Sequence, residues 1–251
     1  MENDYLENWE GIKELGNLED VIKTDWEQVK EFVKKYFASE IDINRLDQEK
    51  LPPIIVRDRR KIYYATESAK QYLDLVEEIN KTHFPDIKEP RTDLSKFLSL
   101  DCNTLLEKYE LEKAEKINFL RTELVIYVPI HYGHCNYLLD NLITYRLENG
   151  KISEGEGTIV HEMLHRVFMK YGTNEEIRER GGDEYFIEYL THLVLAENGK
   201  CQLSEINPNT TLEGRRYREA REKLRQFKTV EEALKNLKQE YQRQEPILSQ
   251  A

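Results

Sequence analysis

Residues 158 to 165 read Thr-Ile-Val-His-Glu-Met-Leu-His, an H-E-x-x-H arrangement inside a segment with helical periodicity. Two histidines four residues apart on a helix share a face, so His161 and His165 can reach one metal ion together. Glu162, between them, points to a neighbouring position from which it can take a proton from a water held by that metal. Zinc suits the arrangement, because coordination lowers the pKa of water to about 7. The motif therefore predicts a buried helix carrying hydrolytic chemistry, with His161 and His165 as ligands and Glu162 as general base.

The helix has recognisable ends. Thr158 is the expected N-cap after the Gly155 and Gly157 loop, and Gly172 the expected C′ residue. Ile159, Val160, Met163, Leu164, Val167 and Phe168 form an apolar stripe wide enough to bury it. A catalytic zinc needs a third protein ligand and an open fourth position. Glu184 is the best candidate: the chain between it and His165 is long enough to end one helix and return a second beside it. Glu175 and Glu176 compete, but acids in the first turn of a helix begun by Asn174 fit the helix dipole. His192 shares the Glu184 face and is a further candidate. Glu188, one turn beyond Glu184, is expected to accept a hydrogen bond from a ligand imidazole.

His161-Glu162-x-x-His165, eighteen residues, then Glu184 resembles the gluzincin metallopeptidases, most closely the branch related to aminopeptidase N. In that branch the third ligand lies in a segment like Asn-Glu-Gly-Phe-Ala-x-Tyr, and residues 183 to 189, Asp-Glu-Tyr-Phe-Ile-Glu-Tyr, look similar to it. The resemblance spans about residues 157 to 192. It implies zinc on His161, His165 and Glu184, Glu162 as general base, and an edge strand that binds a peptide or protein substrate through its backbone. The Gly-x-Met-Glu-Asn segment of those exopeptidases is absent, and Arg166 stands where an uncharged residue is usual. The loop 129 to 135, Pro-Ile-His-Tyr-Gly-His-Cys, offers His131, Tyr132 and His134 as candidate donors to a developing oxyanion.

A net charge of −11 argues against nonspecific binding to nucleic acid or an anionic membrane. No apolar run approaches the length of a membrane span, and the acidic start, Met1-Glu2-Asn3-Asp4, carries no signal-peptide core. Cys102, Cys135 and Cys201 are too few and too scattered for a disulfide framework, which fits a reducing cytoplasm.

The expected class is α+β and helix-rich, zincin-like, with a small mixed sheet beside an active-site helix pair. Residues 1–50 read as a helical segment with Trp26, Val29, Phe32, Val33 and Phe37 at helix spacing. Residues 51–205 would form the catalytic domain. Strands are expected at 54–57, 61–65 and 123–130, with a hairpin of 142–147 and 151–153 and helices at 67–80 and 104–118; residues 136–142 could equally start a helix. Residues 206–251 read as two charged amphipathic helices, solvated or packed on the acidic body. Two functions remain open: a zinc metallopeptidase, or a zincin-fold regulatory or binding protein with little peptidase activity.

Overall fold

The computed structural model describes residues 10–58, 61–91, 93–100, 102–124, 133–148, 151–152, 157–208 and 215–244. Its elements, in chain order, are α1 (Glu10–Phe37), α2 (Ile43–Gln48), β1 (Ile54–Asp58), β2 (Lys61–Tyr64), α3 (Lys70–His83), α4 (Leu94–Phe97), α5 (Cys102–Lys108) and α6 (Leu111–Thr122). There follow β3 (Gly133–Asn136), β4 (Leu142–Glu148), β5 (Lys151–Ile152), α7 (Thr158–Tyr171), α8 (Glu175–Arg180), α9 (Glu184–Glu197), α10 (Arg215–Leu224) and α11 (Val230–Gln244). The protein is α+β and rich in helix.

The strand order is β2-β1-β4-β3, with β5 also on β4. β1 and β4 run parallel, Ile54 opposite Ile143 and Val56 opposite Tyr145, while the other pairs are antiparallel. Successive residues of a strand face opposite sides. Ile54, Val56, Ile143 and Tyr145 accordingly join one core, and Ile55 and Leu142 join the other. The first core contains α1, α7, α9, α10 and α11; the second contains α3 to α6. Trp26, Val29, Phe32, Val33 and Phe37 of α1 all lie in the first core, with Phe37 edge-on to Phe168 of α7 and Phe186 of α9. Residues from all three expected segments thus share one core around α7 and α9.

Several boundaries differ from expectation. Glu123 and Leu124 continue α6 as a wider helical turn rather than opening a strand. Ile117, Leu120 and Leu124 are buried in one core at helical spacing, and that shared face overrides strand propensity; residues 125–130 lie outside the described part. Helix 104–118 divides into α5 and α6 around Tyr109 and Glu110, and residues 137–139 form a single 3₁₀ turn. Thr158 is the first helical residue of α7; the cap is Gly157, at φ 107°, a conformation that excludes most side chains. Gly172 caps the other end in an extended conformation instead of a left-handed one, its N–H bonded to Phe168 O. Asn174 caps α8 as expected, accepting from Ile177 N. Among the described residues no helix is long and apolar enough to cross a membrane.

Candidate metal centre

α7 and α9 lie side by side. His161 and His165, on one face of α7, turn towards Glu184 in the first turn of α9. His161 Nε2 stands 3.1 Å from His165 Nε2 and 3.2 Å from Glu184 Oε2, and His165 Nε2 is 3.4 Å from the same oxygen. Three ligands about 2.0–2.1 Å from one centre at tetrahedral angles stand about 3.3 Å apart. The observed triangle matches that figure. Both histidines are buried, and the Glu184 side chain, 44% exposed, leaves one side of the triangle open to solvent.

The far nitrogens decide how the rings present themselves. His165 Nδ1 is 2.6 Å from Gly181 O, an atom that only accepts, so Nδ1 carries the proton and Nε2 offers its lone pair to the centre. His161 Nδ1 lies 3.1 Å from Glu188 Oε2 and is bound the same way. Gly181 makes the first contact possible. It adopts an ordinary helical conformation, but a side chain there would meet Met169 N at 2.7 Å and Phe168 Cβ at 2.9 Å. Close approach, not backbone freedom, is what requires this glycine; Gly182 beside it is in ordinary contact at 3.4 Å or more.

Electrostatics show a demand for positive charge. Burial would lower the pKa of His161, but hydrogen bonds to Glu184 and Glu188 outweigh it and push the value up to about 10. Burial would likewise raise Glu184 and Glu188; the imidazoles instead hold both carboxyls well below the usual range. Glu184 meets the two Nε2 atoms, Glu188 backs His161 from Nδ1, and the charge of Glu162, buried on α7, adds to the pull on His161. A divalent cation is the species that such a donor set accommodates.

Glu162 is packed against β3. A side chain on Gly133 would fall 2.9 Å from both Glu162 Cγ and Thr158 Cγ2, so any other residue here would displace Glu162 or Thr158. His134, next along β3, is tied through Nδ1 to Glu123, 2.8 Å to Oε2. Glu123 is fully buried and also accepts from Asn136 Nδ2 and Thr144 Oγ1. Burial lowers the His134 pKa, but the Glu123 bond more than reverses this, and the charges of Glu162 and Glu184 add to the rise. His131 and Tyr132 lie outside the described residues. His192 is not a ligand: its Nε2 is 2.8 Å from Glu188 Oε1. Glu175 and Glu176 sit in the first turn of α8, apart from the three convergent ligands.

α10 brings two residues that lie outside the H-E-x-x-H motif and its third acidic position. Tyr217 donates to Glu184 Oε2 at 2.6 Å, and its ring stacks on His161 with centroids 5.4 Å apart. Its hydroxyl is 3.5 Å from His161 Nε2, and burial with the Glu184 charge keeps it a neutral phenol. Arg221 Nε bonds Glu188 Oε1 at 2.6 Å. The usable signal was a repeat of spacing: Asp183, Glu184 and Glu188 recur 33 positions later as Arg216, Tyr217 and Arg221, each paired with its counterpart. No protein-family model, no curated protein and no solved structure matches this chain.

Proposed function

We propose that the chain is a zinc-dependent hydrolase, a metallopeptidase with a zincin-like placing of a small sheet beside its active-site helix pair. One observation carries the reading: three donor atoms from two buried helices, mutually 3.1 to 3.4 Å apart, with each imidazole turned by a fixed acceptor behind it. His161 and His165 would hold zinc through Nε2, and Glu184 through Oε2. Bound there, zinc supplies Lewis acidity, acidifying water and polarising a scissile carbonyl.

The remaining roles belong to the protein. Glu162 takes the proton of the attacking water and passes it to the leaving amine. Tyr217 donates its one hydroxyl proton to Glu184 Oε2, and on turning it away from that oxygen it would serve as a donor for the developing oxyanion. His134 on β3, held by Glu123, is a second donor, and among the described residues β3 ends the strand order beside α7, where an extended peptide can pair. Glu188 orients His161.

Metal analysis joined to turnover tests this. The wild type is expected to carry one zinc, His161→Ala and Glu184→Ala to lose most of it, and Glu162→Gln to keep zinc while losing roughly a thousandfold or more in turnover. Retained hydrolysis by Glu162→Gln would reject the general-base role. Stoichiometric zinc with no cleavage across a diverse peptide library would favour a regulatory or binding protein on the same scaffold.

A further inference from the structure

α10 and α9 meet in register. Arg216 Nη1 reaches Asp183 Oδ1 at 2.7 Å, Tyr217 reaches Glu184, and Arg221 reaches Glu188, every pair 33 residues apart. A constant offset means that the two helices run the same way with matched faces. Asp183 is the N-cap of α9, Glu184 a candidate ligand and Glu188 the acceptor behind His161. One helix from the far end of the chain therefore touches all three groups that set the geometry of the ligand helix.

Glu188 divides its two oxygens. Oε1 receives Arg221 Nε at 2.6 Å and His192 Nε2 at 2.8 Å; Oε2 faces His161 Nδ1 at 3.1 Å. A carboxylate pinned at one oxygen has its plane fixed, so the other oxygen points in one direction. That direction sets the rotation of the His161 ring, and hence where its Nε2 points. Arg221 and Glu188 are both buried, with side chains 11% and 4% exposed, so water does not substitute readily for the guanidinium.

We infer that α10 is a working part of the metal site, with Arg221 as a positioning residue that acts on His161 through Glu188. Docking of α10 and binding of the metal are then coupled: each favours the other by the same factor. This rests on the zinc reading above.

The test uses the full chain and measures zinc affinity by competition with a chromophoric chelator, together with the visible spectrum of the cobalt-loaded protein. Arg221→Met is expected to weaken zinc binding about ten- to a hundredfold, the range for groups that orient a ligand. It should also shift the cobalt bands, while Arg221→Lys recovers part of both. Arg215→Met is the control, since Arg215 is exposed and, among the described residues, bonds Glu219 of its own helix at 2.6 Å; it should match the wild type. Amide exchange of residues 215–224 in the unmodified protein needs no variant and should slow on adding zinc. Wild-type affinity and cobalt spectrum in a folded Arg221→Met, or α10 exchange indifferent to zinc, would overturn the inference. A wild type that takes up neither zinc nor cobalt overturns the metal reading itself, a result distinct from binding that ignores Arg221.

Discussion

Arg166 follows the second histidine of the motif and is 1% exposed. Its guanidinium grips Glu49 through Nε, at 2.9 Å to Oε2, and through Nη2, while Nη1 donates to the carbonyls of Asp140 and Asn141. Those two residues have φ of 54° and 53°, a left-handed turn that Asp and Asn tolerate and that aims their carbonyls at the charge. The same side chain thus fastens α7 to the chain after α2 and to the turn entering β4. Burial would raise the Glu49 pKa, but Arg166 holds it below the ordinary 4.5. That contribution to stability is complete above the unfolded value and is lost as pH falls through the lower folded one. Glu49→Gln should cost about 3 kcal/mol near neutrality, because it strips a buried guanidinium of the carboxylate on Nε and Nη2 and leaves exposed Asp140, 3.9 Å away, as a weaker counter-charge. The gap from wild type should narrow in acid, as urea titrations at about pH 7 and about pH 3 will show; an equal gap at both would refute the assignment.

At the scale of elements, the site depends on how tightly the end of α8 presses on α7. Gly181 O orients His165, and its Cα sits where any Cβ strikes the α7 backbone at Met169 N. Gly181→Ala is expected to lift this turn, lowering stability by about 1–3 kcal/mol and zinc affinity by about tenfold. Melting and chelator competition measure the two effects separately; unchanged zinc affinity would remove the carbonyl from the account. The glycine itself was visible in the sequence, and so was a bend before Glu184. That the cause is steric became apparent only when α7 and α8 were seen in contact. The apolar run from Leu124 shows the converse: its composition favours a strand, yet Leu124 completes the buried face of α6.

For the whole molecule, the sheet separates two cores, and the side holding α7 and α9 includes both α1 and α11, at the two ends of the described chain. Ala220 and Leu224 of α10 and Ala233, Leu234 and Leu237 of α11 are buried there, and Tyr189 donates to Ala233 O at 3.0 Å. Truncation after residue 208 should therefore abolish cooperative melting. Circular dichroism decides it; a truncated chain that melts sharply would show that the tail is dispensable.

The sequence alone determined the helix with its two histidines, the return to Glu184, the strands β1, β2, β4 and β5 and the apolar face of α1, but not β3, whose residues read as part of a loop. Each of these rests on periodicity or on spacing within a few turns of chain, which backbone geometry turns directly into a shared face. Only the tertiary structure decided that Arg166 meets Glu49, that Glu123 holds His134, and that Tyr217 and Arg221 stand behind the ligands. Those partners are 117, 11 and 33 residues apart. No local rule specifies such pairings, because they form only once burial of two cores against one sheet has fixed which elements become neighbours.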